Sequence, residues 1–500
     1  MGVRSVCAVF GAAACLALAA CSLGLVPDAQ AQAPLPSAWR VQPPPGQDWQ
    51  AEPLWGVPAF DAPAADHCRG NVRIDEQPGA GRHPQYPREP AWAESVAKSA
   101  ADRRERHVLH DAAAPTAPLA AAPTPVQESG AQPGRAWPPA LHRPRLAATV
   151  TAGMVDDNAD FGEYLAYRER QRHLPTRQRD ISERYRVEVR DAEGRPVPDA
   201  ELALSWAGAR EGLLWGRSDA AGNAWLHPRA LLAPELLGSL QQLELQVRSG
   251  SHIARTGLQR GQKQALQLRL PLRAAPVARV PLDLVFLVDA TGSMGDEIAK
   301  LKATVHSIAA QISALPSRPD LCLGLVAYRD QGDAFLLRTH DLTDRLGDFQ
   351  RSLDRLHAGG GGDEPEALDE AWHEVVHRLS WRGSVGRQAA TRLVVLIADA
   401  PPHLDGGAPH YDQDMAAALA KGIKLHAVGA SGLNPSGEAV FRQLAQYTGG
   451  RFVFLTYRHA HEPSSGPGGE TVHEVQNYSV DTLDRLIVRL VRDELAQRGG

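Results

Sequence analysis

The 500-residue chain has few of the features that mark several large functional classes. It has five cysteines, at Cys7, Cys15, Cys21, Cys68 and Cys322, without the close, repeated spacing of a disulfide framework. Lysine and arginine total 53 against 58 acidic residues, a net charge of −5 with no long basic run, which argues against nucleic acid as a partner. Charge, basic patches and disulfides therefore do not define it. What it does have is 43% apolar content, enough for sizeable cores in two or three domains.

Arg4 precedes an Ala- and Leu-rich segment from Val6 to Leu25, the pattern of an export signal and not of a fold element. Within it, Leu18-Ala19-Ala20-Cys21 fits the lipobox of bacterial lipoproteins, so residues 1–20 are expected to be removed and Cys21 acylated. Ser22 follows, not Asp, and that resemblance implies delivery to the outer membrane of a Gram-negative cell, facing the periplasm or the surface. A rival cleavage after Ala29-Gln30-Ala31 releases a soluble periplasmic or secreted protein. A transmembrane anchor is the bland alternative, but the segment is barely long enough and runs on into Pro/Gln-rich chain. Membrane contact is thus expected through a lipid anchor only. Cys7 and Cys15 leave with the signal; an oxidising compartment permits a Cys68–Cys322 bond, but a buried free Cys322 inside an apolar strand is the expectation.

Between Pro34 and Pro144 lie over half of the chain's 38 prolines, including Pro43-Pro44-Pro45. That density excludes ladders and helices, except over Trp92–His110, and residues 21–150 are expected to be a disordered Pro/Ala-rich stalk. Residues 151–182 read as a helical connector. Its Asp156, Asp157 and Asp160 fit helix capping and solvation better than Ca²⁺, since their spacing matches no EF-hand loop. From 183 to 273 short alternating strands, Tyr185–Arg190, Glu201–Trp206, Leu243–Val247 and Ala265–Leu270, indicate a small antiparallel β-sandwich. Its segments Asp191–Ala200 and Ser218–Trp225 resemble carboxypeptidase-regulatory or transthyretin-like modules of bacterial surface proteins. No catalytic constellation stands out there, and a spacer or binding module is expected.

The chemistry lies in residues 280–497. Pro281-Leu-Asp-Leu-Val-Phe-Leu-Val-Asp289 is an apolar run of the kind buried on both faces of a sheet, and it ends in a carboxylate. Thr291 and Ser293 follow at alternate positions before a helical pattern with Ile298, Leu301, Val305, Ile308 and Ile312 on one face. One carboxylate and two hydroxyls on a tight strand-to-helix loop suit a hard cation, Mg²⁺ or Mn²⁺, with Ca²⁺ a further candidate. Strand and helix patterns then alternate to the end. This predicts an α/β fold with a doubly wound, mainly parallel sheet and ligands outside its carboxyl ends.

Asp289-Ala-Thr291-Gly-Ser293 resembles the D-x-[ST]-x-S motif of von Willebrand factor A domains. Two later loops are similar to the rest of that family's metal-ion-dependent adhesion site. Ala358-Gly-Gly-Gly-Gly-Asp363-Glu-Pro-Glu366 places Asp363 where the family usually has a Thr ligand, and Leu393–Asp399 ends a buried strand in the family's third metal-site Asp. The resemblance implies a non-enzymatic exported protein. Asp289, Thr291, Ser293, Asp363 and Asp399 would hold the cation, and a partner protein's acidic side chain would complete the shell. His403, Asp405 and His410 are expected on the rim facing the partner, with His459, His461 and His473 nearby.

Two alternatives come from other classes. His373-Glu374-Val-Val-His377 matches the H-E-x-x-H of zinc metalloproteases. However, Leu368, Ala371, Trp372, Val375 and Leu379 form that helix's apolar stripe, so the histidines are expected to face solvent, and no third ligand follows. The other alternative is a structural envelope scaffold without metal function.

Overall fold

The computed structural model describes residues 73–79, 150–206, 213–232, 242–261, 265–273, 279–362, 364–385, 388–405, 409–430, 432–457 and 479–497, with Pro63, Cys68 and Gly407. The export signal, Cys21, most of the Pro/Ala-rich stretch, Asp363, His459, His461 and His473 lie outside these residues. Two early strands, β1 (Ile74–Gln77) and β2 (Val150–Val155), are followed by helix α1 (Phe161–Arg170). A β-rich part follows: β3 (Tyr185–Arg190), β4 (Glu201–Trp206), β5 (Leu214–Arg217), β6 (Asn223–Leu226), the single turn α2 (Pro228–Leu231), β7 (Gln242–Ser249), β8 (His252–Gln259) and β9 (Leu266–Arg269). The last part alternates: β10 (Pro281–Asp289), α3 (Gly295–Ser313), β11 (Asp320–Tyr328), β12 (Leu337–Thr343), α4 (Leu346–Asp354), α5 (Leu368–Arg378), the short hairpin β13 (Ser384–Val385) and β14 (Gln388–Ala389), β15 (Thr391–Ala398), α6 (Tyr411–Lys421), β16 (Ile423–Gly429), α7 (Pro435–Thr448), β17 (Phe452–Tyr457), β18 (Ser479–Thr482) and α8 (Leu483–Ala496).

The expected doubly wound sheet is present. Nine strands run in the order β1-β12-β11-β10-β15-β16-β17-β2-β18, with β11, β10, β15, β16 and β17 parallel in the middle. Its continuous apolar runs follow from burial on both faces. Along β10, Leu284, Phe286 and Val288 enter one core with Ile298, Leu301 and Val305 of α3 and Leu486 and Ile487 of α8. Val285 and Leu287 enter the other, with Trp372 of α5, Met415 of α6 and Phe441 of α7.

Four expectations are corrected here. The stretch 21–150 is not all linker: Ile74–Gln77 pairs antiparallel with the edge strand β12, and Cys322 on β11, expected as a free thiol, is bonded to Cys68. The connector is not helical from Thr151, because Val150–Val155 inserts between β17 and β18 as a strand. At Gly153 a Cβ would lie 2.3 Å from the Phe454 ring, so glycine is what allows the two strands this approach. The small sandwich, with sheets β6-β3-β9 and β5-β4-β7-β8 around Val187, Leu204, Leu245 and Val247, is not wholly antiparallel, since β3 and β9 run parallel.

The acidic cluster after β2 is tied into the fold and not merely solvated. Asp160 caps α1, while buried Asp157 takes both arms of the Arg442 guanidinium, at 2.9 and 2.6 Å. A second buried pair joins the sandwich to the large sheet. Arg392 of β15 donates to both oxygens of Asp199, at 3.0 and 3.1 Å, and to the carbonyls of Arg382 and Lys421.

Removing one partner of such a pair leaves the other charge buried and uncompensated. Asp199→Ala is therefore expected to lower unfolding free energy by about 3–5 kcal/mol in denaturant titrations, and Asp199→Ala combined with Arg392→Met to recover part of that loss. Equal losses in the two variants would show that the pair is not what couples the two parts.

Candidate metal centre

Three neighbouring parallel strands bring their carboxyl ends to one edge. Asp289 closes β10 opposite Tyr328, the last residue of β11; Asp330 lies two residues past β11, and Asp399 follows β15 directly. Asp289 is fully buried. Its Oδ1 accepts the backbone N–H of Thr291 at 2.9 Å and the Thr291 hydroxyl at 2.7 Å, which turns the chain sharply toward α3. Thr291 Oγ1 lies 3.5 Å from Ser293 Oγ, and the Ser293 hydroxyl is near enough to Asp399 to hold its carboxyl down against burial. The structure thus brings Asp289, Thr291, Ser293 and Asp399 together, as the sequence predicts; Asp363 lies outside the described residues.

The glycine run is needed because this loop passes against side chains. Gly292 N–H donates to the Gly360 carbonyl and Gly359 N–H to that of Ala290, closing the two loops on each other. Gly360 and Gly361 have φ of 77° and 65°; a Cβ on Gly360 would collide with the Asp333 carboxylate, and one on Gly361 would meet Glu366 Oε1 at 2.9 Å and Thr291 Cβ at 3.1 Å. Arg329 secures the same loops by donating to the carbonyls of Ala290 and His357.

Two carboxylates escaped the sequence reading. Glu366 is buried, fixed by its N–H to the Pro401 carbonyl, with its side chain turned to Thr291. Asp330 is buried against His403, whose Nε2 lies 2.7 Å from its Oδ1. Asp330 carried the same signal as Asp289 and Asp399, an acid just past a buried strand; Glu366 carried none beyond its place in the glycine loop.

The electrostatics follow from this crowding. Burial, reinforced by Asp399, pushes Asp289 up to about 7. Burial and then the charges of Asp289, Asp330, Asp333 and Asp399 push Glu366 up to about 10. Burial raises Asp399 as well, against the Ser293 hydrogen bond that lowers it. Among the described residues no lysine or arginine pairs with Asp289, Asp399 or Glu366. Buried Asp289 Oδ2, Glu366 Oε2 and the Tyr328 hydroxyl find no hydrogen-bond partner in the protein. Acceptor oxygens of this kind, without nitrogen or sulfur among them, fit a hard divalent cation.

The expected rim is corrected in part. Asp405 is exposed and His410 half-buried, 3.8 Å from Asp369, but His403 is buried with Asp330 and does not face outward. Burial lowers its proton affinity, and the Asp330 carboxylate more than reverses that. The H-E-x-x-H motif does not assemble as a protease site. Glu374 turns into the core, bound by Arg73 at 2.6 Å and Thr339 at 3.0 Å, away from the two histidines. The histidines in turn do not simply face solvent; both meet Asp414 of α6.

Residues 283–375 match the von Willebrand factor A domain. The chain is 29% identical over 143 residues to the alpha-protein kinase vwkA of Dictyostelium discoideum, covering 28% of this chain and 22% of that protein. It is 39% identical over 83 residues to von Willebrand factor A domain-containing protein 7 of Mus musculus, and 37% over 83 residues to the same-named protein of Homo sapiens. Those two matches cover 17% of this chain and 9% of each relative, so the chain spans only a minor part of the curated relatives' length. The chain carries a von Willebrand factor A domain.

Asp289 and Glu366 hold their protons more tightly in the fold than in the unfolded chain, so their protonation favours the fold. That contribution is complete below the ordinary carboxylate range and is lost as pH rises through about 7 for Asp289 and about 10 for Glu366. In chelator-treated protein, Tm measured by circular dichroism is expected to fall from about pH 5 to about pH 9, and Glu366→Gln to melt higher than wild type at the alkaline end, by about 2–4 °C per kcal/mol recovered. A wild-type-minus-variant difference that does not change with pH would contradict the crowding.

Proposed function

We propose that the von Willebrand factor A domain of this chain holds a divalent cation, Mg²⁺ or Mn²⁺ with Ca²⁺ as a further candidate, and through it recognises an acidic side chain of a partner protein without turnover. The observation that carries this is the buried Asp289 Oδ2, an unpartnered acceptor beside Asp399 and Glu366, three carboxylates that no lysine or arginine pairs with among the described residues. The cation would supply that missing positive charge and an open coordination position. Asp289, Thr291, Ser293 and Asp399 would hold it, directly or through water, with Asp363 as the fifth ligand the sequence pattern assigns. Thr291 is oriented for this role by Asp289 and has Ser293 Oγ 3.5 Å from its hydroxyl, and the glycine loop keeps Cβ atoms away from Thr291 and Asp333.

Export and acylation at Cys21 belong to the same proposal. They rest on the N-terminal signal pattern and on the Cys68–Cys322 bond, which suits an oxidising compartment. Among the described residues no helix is long and apolar enough to cross a membrane.

A ligand that binds only the folded state raises Tm as its concentration passes Kd, by about 2.7 kcal/mol of stability at a hundredfold excess. Mg²⁺ or Mn²⁺ titration is expected to give that rise in wild type and none in Asp289→Ala; a rise that survives the substitution would place the cation elsewhere. Palmitate labelling in a Gram-negative host is expected for wild type and not for Cys21→Ser, and equal labelling of both would remove the anchor from the proposal.

A further inference from the structure

A second cluster lies away from the carboxylate centre. His373 and His377 stand one turn apart on α5, so both imidazoles project from one face, their ring centroids 4.5 Å apart. Facing them is Asp414, in the first turn of α6. His373 Nδ1 lies 3.0 Å from Asp414 Oδ2 and His377 Nε2 lies 2.8 Å from Asp414 Oδ1. One nitrogen from each ring and a carboxylate oxygen all fall within 4.8 Å of one another.

We propose that His373, His377 and Asp414 form a transition-metal site, best suited to Zn²⁺, that clips α5 to α6 and is separate from the hard-cation centre. Ligand atoms about 2.0–2.1 Å from one zinc stand about 3.3 Å apart in a tetrahedron; here each imidazole is close to its own oxygen of Asp414 and the three ligand atoms lie within 4.8 Å, so binding draws the two rings in around one ion by side-chain rotation. The donor set is borderline-soft, two imidazoles and one carboxylate, whereas the other centre offers oxygen alone. The His373 side chain is 41% exposed, against 14% for His377 and 8% for Asp414, which leaves a solvent-side position for water as fourth ligand. The site is structural and not hydrolytic, because Glu374, the residue an H-E-x-x-H protease uses as its base, is engaged by Arg73 and Thr339.

The position of the clip gives it a consequence. Glu366 is separated from α5 by Ala367 alone, and the segment from Asp399 to His410 leads straight into α6. Fixing the two helices to each other fixes the two loops that carry Glu366 and Asp399.

The test is Zn²⁺ titration of the tag-free full chain by calorimetry and thermal melting, beside His377→Gln, Asp414→Asn and Asp289→Ala. Both variants stay close to the original side-chain size, and the thermal melts read whether each is folded before its Zn²⁺ affinity is compared. The expected result is one equivalent bound by wild type and by Asp289→Ala, with Tm raised, and affinity lower by at least about tenfold in His377→Gln and in Asp414→Asn. Co²⁺ in place of Zn²⁺ should give the visible bands of a four-coordinate ion in wild type and lose them in His377→Gln. Zn²⁺ binding unchanged in His377→Gln, binding lost only in Asp289→Ala, or no binding at all would each overturn the site and leave Asp414 as a hydrogen-bond acceptor between two helices.

Discussion

Repulsion among buried carboxylates at the carboxyl edge of β10, β11 and β15 is the constraint around which this domain is built. Isolated anions in a low-dielectric edge are costly, and a protein that places Asp289, Asp330, Asp399 and Glu366 together has to offset them. The chain does so only halfway. The Thr291 N–H and hydroxyl share Asp289 Oδ1 and His403 takes Asp330 Oδ1, while the nearby guanidinium of Arg329 is spent on carbonyls. The rest of the sheet can carry this unfavourable edge because it is buried on both faces. The full charge pairs are placed elsewhere, at Arg392–Asp199 and Arg442–Asp157, where they hold layers together.

Much of this was legible in the sequence, for reasons that differ by element. The runs ending at Asp289 and Asp399 identify themselves because strands buried on both faces need unbroken apolar sequence. The face of α3 is visible through its period, and the pattern D-x-T-x-S places three oxygens on one short loop. Glu366 was not legible as a site residue, since its position comes from the path of the glycine loop and from its bond to Pro401, contacts distant in sequence. His403 was misplaced for a related reason: a polar residue in a loop after a strand reads as exposed until Asp330, 73 positions earlier, is brought against it.

The errors in domain layout have one cause. Strand β1 has no apolar face of its own and shows three exposed residues out of four, so nothing local announces it; the edge of β12 and the bond to Cys322 define it. Strand β2 is six residues inside a region of low periodicity, and its place between β17 and β18 is set by partners some 300 positions later. The α5 histidines show the converse case. Their stripe predicts the side opposite the core correctly, but period alone gives no hint that a second helix supplies Asp414 to that side.

The Cys68–Cys322 bond also decides how the molecule would bear load. Cys322 lies within β11, hydrogen-bonded along its length to the strand that ends in Asp289. A pull applied before Cys68 therefore reaches β11 through a covalent link, ahead of β1 and β2, which belong to the same sheet. Force would shear β11 against β10 along their shared ladder, a geometry in which many bonds must break together and unfolding is slow. With the disulfide reduced, the same pull would peel β1 from β12 one rung at a time. The redox state of a single bond thus selects between a stiff and a compliant mooring.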